Sequence, residues 1–104
     1  MSETISTEKL IDSINYQNGS IVSRQIIKKP NGNITLFAFD KDESLTEHAS
    51  PFKEVVYIVD GEMEIKIGRN PYNVKAGEIL VMLPDVPHGL KAKVKSKMLL
   101  TMIK

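Results

Sequence analysis

Apolar and polar residues alternate along most of this chain in short runs, and turn residues cut the runs at close intervals. The runs of strand length are Ser20–Lys28, Ile34–Phe39, Val55–Val59, Glu62–Ile67, Tyr72–Val74, Ile79–Leu83 and Lys97–Ile103. All are rich in Ile, Val, Thr, Phe, Tyr, Leu or Met. Between them stand Asn18-Gly19, Lys29-Pro30-Asn31-Gly32, Asp60-Gly61, Gly68 to Pro71, Lys75-Ala76-Gly77 and Pro84 to Pro87. Many short strands with regularly spaced turns predict an all-β sandwich or barrel.

Two runs carry more detail. In Glu62–Ile67 the apolar Met63, Ile65 and Ile67 alternate with Glu62, Glu64 and Lys66, which predicts one buried and one solvated face. Val55 to Val59 is apolar at every position, so both faces need cover, from the barrel interior and from a second sheet or subunit. Between these runs, Asp60-Gly61 has the composition of a two-residue reversal, and a β-hairpin is expected there. The only helical hint is near the N-terminus, where Leu10, Ile11 and Ile14 share one helical face but lack a capping box. Residues 1–20 are expected to be an N-terminal segment, partly flexible or arm-like, ahead of one barrel domain over 21–104.

A chain of 104 residues suits a single core. With 41% hydrophobic and 26% charged residues it has the make-up of a globular protein, not a disordered one. A formal net charge of +1 suggests neither nucleic acid nor an anionic membrane surface as partner. Lys91, Lys93, Lys95 and Lys97 are expected to lie along a solvated strand edge. The absence of cysteine excludes disulfides, thiolate zinc sites and cysteine nucleophiles. No basic-then-apolar start and no membrane-length apolar run is present, so a cytoplasmic location is expected.

The candidate chemistry rests on few residues. His48 and Ser50 share a side if their segment is extended. Glu54 enters the apolar run and should share a face with Val56 and Ile58, where an ionised carboxylate is costly unless paired or bound to a cation. His88 follows Pro87, after a strand that begins near Gly77 and ends at Pro84. His48 and His88 are the only two histidines. Two neutral imidazoles and one carboxylate with open positions suit non-haem Fe(II), while Mn, Ni, Co or Zn fit the same donors. A plainer alternative keeps the histidines as hydrogen-bonded or solvated residues, with Glu54 beside Lys53 as a surface pair worth ~0–1 kcal/mol. Tyr57, three residues after Glu54, should point away from the interior. Ser50, His48 and Asp85 lack the nucleophile turn that hydrolytic catalysis needs.

These positions resemble the cupin family. Asp42, His48, Ser50, Glu54 and Gly61 fall on its first motif, in which a glycine, a His-x-His, a glutamate and a second glycine follow at fixed spacing. Gly77, Pro84, Pro87, His88 and Ala92 fall on its second motif. Asp42 and Asp85 stand for turn glycines, Ser50 for the second histidine and Ala92 for an asparagine. The resemblance implies a double-stranded β-helix, or jelly-roll, barrel, with a divalent metal (Fe, Mn, Ni, Co or Zn) at its mouth. His48, Glu54 and His88 would be the ligands, and Ser50, Met63 and Met82 the neighbours lining the pocket. It also implies a small-molecule ligand, a dioxygenase or isomerase among the candidate activities, and a homodimer. Some members of this kind carry no metal, so a metal-free binding or sensing module is the alternative.

Overall fold

The computed structural model describes residues 4–104. Among the described residues, nine strands form two antiparallel sheets: β1 (Ile21–Lys29), β2 (Gly32–Phe39), β3 (Ser44–His48), β4 (Lys53–Asp60), β5 (Glu62–Ile67), β6 (Asn70–Lys75), β7 (Ile79–Met82), β8 (His88–Ala92) and β9 (Ser96–Ile103). The first sheet has the order β1-β2-β9-β4-β7 and the second β3-β8-β5-β6. Packed face to face, they make the jelly-roll barrel. The chain crosses between sheets several times, so each sheet is assembled from segments distant in sequence. β3 and β8 are short strands poor in β-branched residues, and pattern alone gave little sign of them.

Alternation sets what lies inside. On β4, Glu54, Val56 and Ile58 are buried, while Val55, Tyr57 and Val59 face outward. On β5, Met63 and Ile65 are fully buried, as their period of two requires. Phe39, Met82, Leu90, Ala92 and Met98 complete the interior. Burying a side chain of this size contributes ~1.5–3 kcal/mol, so the shared interior outweighs any single polar contact.

The hairpin expected at Asp60-Gly61 does not form. β4 belongs to the first sheet and β5 to the second, so the chain turns a corner here instead of reversing. Of the two residues only Gly61 has a positive φ, at 83°, whereas a type I′ reversal needs it at both. Gly61 also packs so closely on Lys95 and Ser96 that a Cβ would collide with the Lys95 carbonyl and the Ser96 hydroxyl. The same hydroxyl accepts from the Glu62 amide and fastens the corner.

Residues ahead of β1 form a strap on the outer face of the first sheet. Leu10–Asp12 make one 3-10 turn. Ile14, Leu10 and Tyr16 pack on Leu36, Ala38, Val59 and Leu99. Part of the outer apolar face of β4 is therefore covered by the chain's own N-terminal segment. Lys97 is not solvated, contrary to the expectation for the lysine series. It is buried, donates its Nζ to the Ile11 carbonyl, and lies 5.0 Å from the centre of the Tyr16 ring.

Candidate functional site

The candidate site lies between one row of each sheet. His48 ends β3 and His88 begins β8, and the two are register partners. Their rings meet edge to face, with centroids 4.5 Å apart and planes at 60°. The pairing slips between Leu45 and His48, an irregularity of the kind that re-aims a side chain. Ile67 continues this row on β5 as the other partner of His88. Across the barrel, Glu54 sits in register between Met82 on β7 and Met102 on β9.

Glu54 and His88 are each only 2% exposed. The Nε2 of His88 lies 3.4 Å from Oε2 of Glu54, so one polar pair bridges the two sheets. The Nδ1 of His88 is 3.1 Å from the Val86 carbonyl, and that of His48 is 3.0 Å from the Thr46 carbonyl. A carbonyl can only accept, so each Nδ1 carries the proton in these contacts. In the neutral ring this leaves Nε2 with a free lone pair. In His88 that nitrogen is buried and has no hydrogen-bond partner among the described residues. A buried polar atom left unsatisfied costs ~1–3 kcal/mol, which sets this nitrogen apart from an ordinary core atom.

The other expected positions divide. Met82, buried beside Glu54, belongs to the site. Met63 does not: it pairs with Ala92 and Val74, at the end of β5 remote from the Ile67–His88 pair. Ser50 lies beyond the end of β3, so the extended-segment argument that placed it beside His48 does not apply. Its hydroxyl accepts from the Phe52 amide and its carbonyl from the Asp85 amide, at 3.0 and 2.8 Å. Ser50 thus ties the loop before Glu54 to the loop before His88. Ala92 is fully buried in the core. Asp42 and Asp85 adopt the positive φ values, 69° and 64°, expected of residues standing for turn glycines.

Ile67 is a site neighbour that sequence reasoning missed, and Met102, one of four methionines that strand patterning offers as pocket lining, sits beside Glu54. The alternation Met98, Leu100, Met102 could have placed Met102 inward, but its contact with Glu54 depends on which strands pair. Among the described residues, no group of three or more His, Cys, Asp or Glu side chains is gathered tightly enough to hold a metal ion. Glu54 and His88 converge, and exposed His48 stands beside them at the rim.

Comparisons with known proteins agree with this architecture. The cupin-domain family profile matches residues 35–104. The chain belongs to the cupin family. Across 99% of its length and 90% of the other chain, this cupin is 30% identical to a conserved protein of unknown function from Streptococcus pyogenes, with a TM-score of 0.94. A cupin 2 conserved barrel domain protein from Leptotrichia buccalis is 36% identical over 90% of this chain, with a TM-score of 0.88. The match spans 46% of that longer protein. A cupin superfamily protein from Desulfitobacterium hafniense, 21% identical with a TM-score of 0.84, shares the fold. None of the curated proteins compared matches this chain.

Proposed function

We propose that this cupin binds a divalent metal ion through the Nε2 atoms of His88 and His48 and the carboxylate of Glu54, and acts there on a small organic molecule. The observation that carries the reading is the partnerless Nε2 of buried His88, 3.4 Å from the Glu54 carboxylate. Two lone-pair-bearing atoms facing each other in a buried site need a proton or a cation between them. Ligands of one metal, each ~2.0–2.2 Å from it, stand ~3.0–3.5 Å from one another, so this spacing suits a shared ion. Both Nδ1 atoms are held by backbone carbonyls, an arrangement that orients an imidazole and strengthens its other nitrogen as a ligand. His48, whose ring meets that of His88 edge to face at the exposed rim, is the third donor of this reading.

A metal so held supplies Lewis acidity or a centre for binding dioxygen, and the reaction classes that suit it are dioxygenation and isomerisation. Glu54 is then a ligand and not a free base. Met82, Met102 and Ile67 keep the inner side of the site apolar, so the ligand approaches from the His48 side.

A second reading, a metal-free module that binds a small molecule, is favoured by the lack of a gathered three-residue cluster and by Ser50 and Ala92 at two motif positions. There His88 and Glu54 serve as a hydrogen-bonding pair for the ligand. Metal analysis of untagged protein separates the two. Near-stoichiometric Fe, Mn, Ni, Co or Zn, lost in His88→Ala and reduced in His48→Ala, supports the metal site. Apo protein that shows no calorimetric response to any of these ions overturns it.

A further inference from the structure

The row of side chains that holds Glu54 does not end at Met102. On the inner face of the first sheet it runs Met82, Glu54, Met102, Asn33 and Lys28, one residue from each strand. Lys28 enters this row through a bulge. The β1–β2 pairing shifts between Gln25 and Ile27, so that Ile27 pairs with Ile34 and Lys28 with Asn33. Unbroken alternation from Ile21, which packs on the interior, would turn Lys28 outward; the extra residue turns it inward. The first sheet is one strand wider than the second, and Ser23, Gln25 and Lys28 on β1 are exposed. In the second sheet β6 lies beside β4, so β3, at the opposite edge, lies on the Met102–Asn33 side of Glu54. Exposed His48 and the inner side of β1 therefore border the same open side of the site. Lys28 has no ion-pair partner among the described residues. Lys29, Lys53, Arg69 and Lys104 stand at the same end of the barrel, with Asp85 and Glu47 against them, so that end is cationic in a chain of net charge +1.

We propose that Lys28 and Asn33 form a subsite for the carboxylate of a small organic acid. The apolar body of that acid lies over Met102, and its other end reaches the Glu54–His88 pair. The inference rests on reading that pair as a small-molecule site, with or without a metal. One ammonium and one amide match the single charge and the two acceptor oxygens of a carboxylate. A phosphate dianion calls for an arginine fork or a nest of backbone amides, and this row offers neither. Two strand spacings of ~4.8 Å separate Glu54 from Asn33, so an acid of about six carbons spans the gap. The cationic end of the barrel draws anions towards the opening, and Lys28 is the charge that shares a row with Glu54.

Titration of metal-stripped protein with hexanoate and with hexanamide, its uncharged counterpart of equal length, tests this by amide chemical shifts. Hexanoate should bind ~5-fold more tightly, as a partly exposed charge pair allows, and should shift the amides of Lys28, Asn33 and His48. Lys28→Gln should abolish the preference for the acid and Lys28→Arg should keep it. Lys28 is exposed, so both variants should retain the wild-type far-ultraviolet spectrum. Lys53→Gln, one position before Glu54 and on the other face of β4, should leave the preference unchanged. Equal affinities, a preference that survives Lys28→Gln, or shifts confined to the far end of the barrel would each overturn the subsite alone. Binding of neither probe would overturn the small-molecule reading with it. Inorganic phosphate that displaces hexanoate from Lys28 at lower concentration would overturn the assignment to a carboxylate. With no metal in the titration, failure of the metal site leaves this result standing.

Discussion

Oε2 of Glu54 on β4 and Nε2 of His88 on β8 lie 3.4 Å apart, buried between two sheets that have no ladder pairing with each other. Two acceptor atoms so placed need a proton or a cation between them, and removing one leaves the other buried without a polar group opposite. A buried pair of this kind is costly to break and much less costly to remove whole.

That asymmetry gives a double-mutant cycle in metal-stripped protein. Glu54→Leu removes the carboxylate opposite the buried His88 nitrogen and should cost ~1–3 kcal/mol. His88→Leu strands a buried carboxylate and should cost more, ~3–5 kcal/mol. The double variant, with leucines beside Met82, Met102 and Ile67, should be more stable than either single one. Urea unfolding of the three checks this, and simply additive losses would show that the two groups do not depend on each other.

The corner at Gly61 should be far less tolerant than the turn at Gly77. Both have positive φ, 83° and 88°, but an added Cβ meets Lys95 and Ser96 at Gly61 and nothing at Gly77. Gly77→Ala should cost ~1 kcal/mol from backbone strain alone. Gly61→Ala should cost ~2–4 kcal/mol because the β4–β5 corner must also open. Thermal melts of the two variants give the comparison.

Alkali should loosen the strap. Burial holds the Tyr16 hydroxyl above its usual titration range, and its hydrogen bond to Asp60 and the charge of that carboxylate push the same way. A folded-state value above the unfolded one means the contribution is complete below pH ~10 and fades as the phenol ionises above that. Tyr16→Phe should lose ~1 kcal/mol near neutrality and remove this part of the alkaline decline. Urea midpoints between pH 7 and 12 will show it.

The acid side should involve Asp40. Its carboxylate accepts from the Gly19 amide at 2.7 Å and the Lys41 amide at 2.9 Å, and these contacts hold it below the usual carboxylate range. The contribution is therefore present above the ordinary aspartate value of ~3.9 and lost as pH falls through the lowered one. In Asp40→Asn the tie between the Asn18-Gly19 turn and the end of β2 should no longer weaken over this range. Amide chemical shifts of Gly19, followed from pH 5 to 2, report it directly.

Much of the barrel was legible from the chain because strand alternation is local. Glu62 to Ile67 places Met63 and Ile65 inside without reference to any neighbour, and Glu54 shares a face with Val56 and Ile58 for the same reason. Motif spacing marked His48, Glu54 and His88 as the residues to watch, and Asp42 and Asp85 as left-handed turns. Asp60-Gly61 shows where local information ends. The same dipeptide suits a hairpin or a corner between sheets, and packing of Lys95 and Ser96 against Gly61 decides for the corner.

Sequence by itself thus determined the alternation, the turns and the short set of groups able to do chemistry. Tertiary structure decided which strands share hydrogen bonds. That choice set His48 against His88, put Met82 and Met102 on either side of Glu54, sent Met63 to the far end of the barrel and buried Lys97 under the strap. The reason is physical: side-chain direction follows from a residue's own backbone, whereas its neighbours follow from long-range pairing, which no stretch of a few residues encodes.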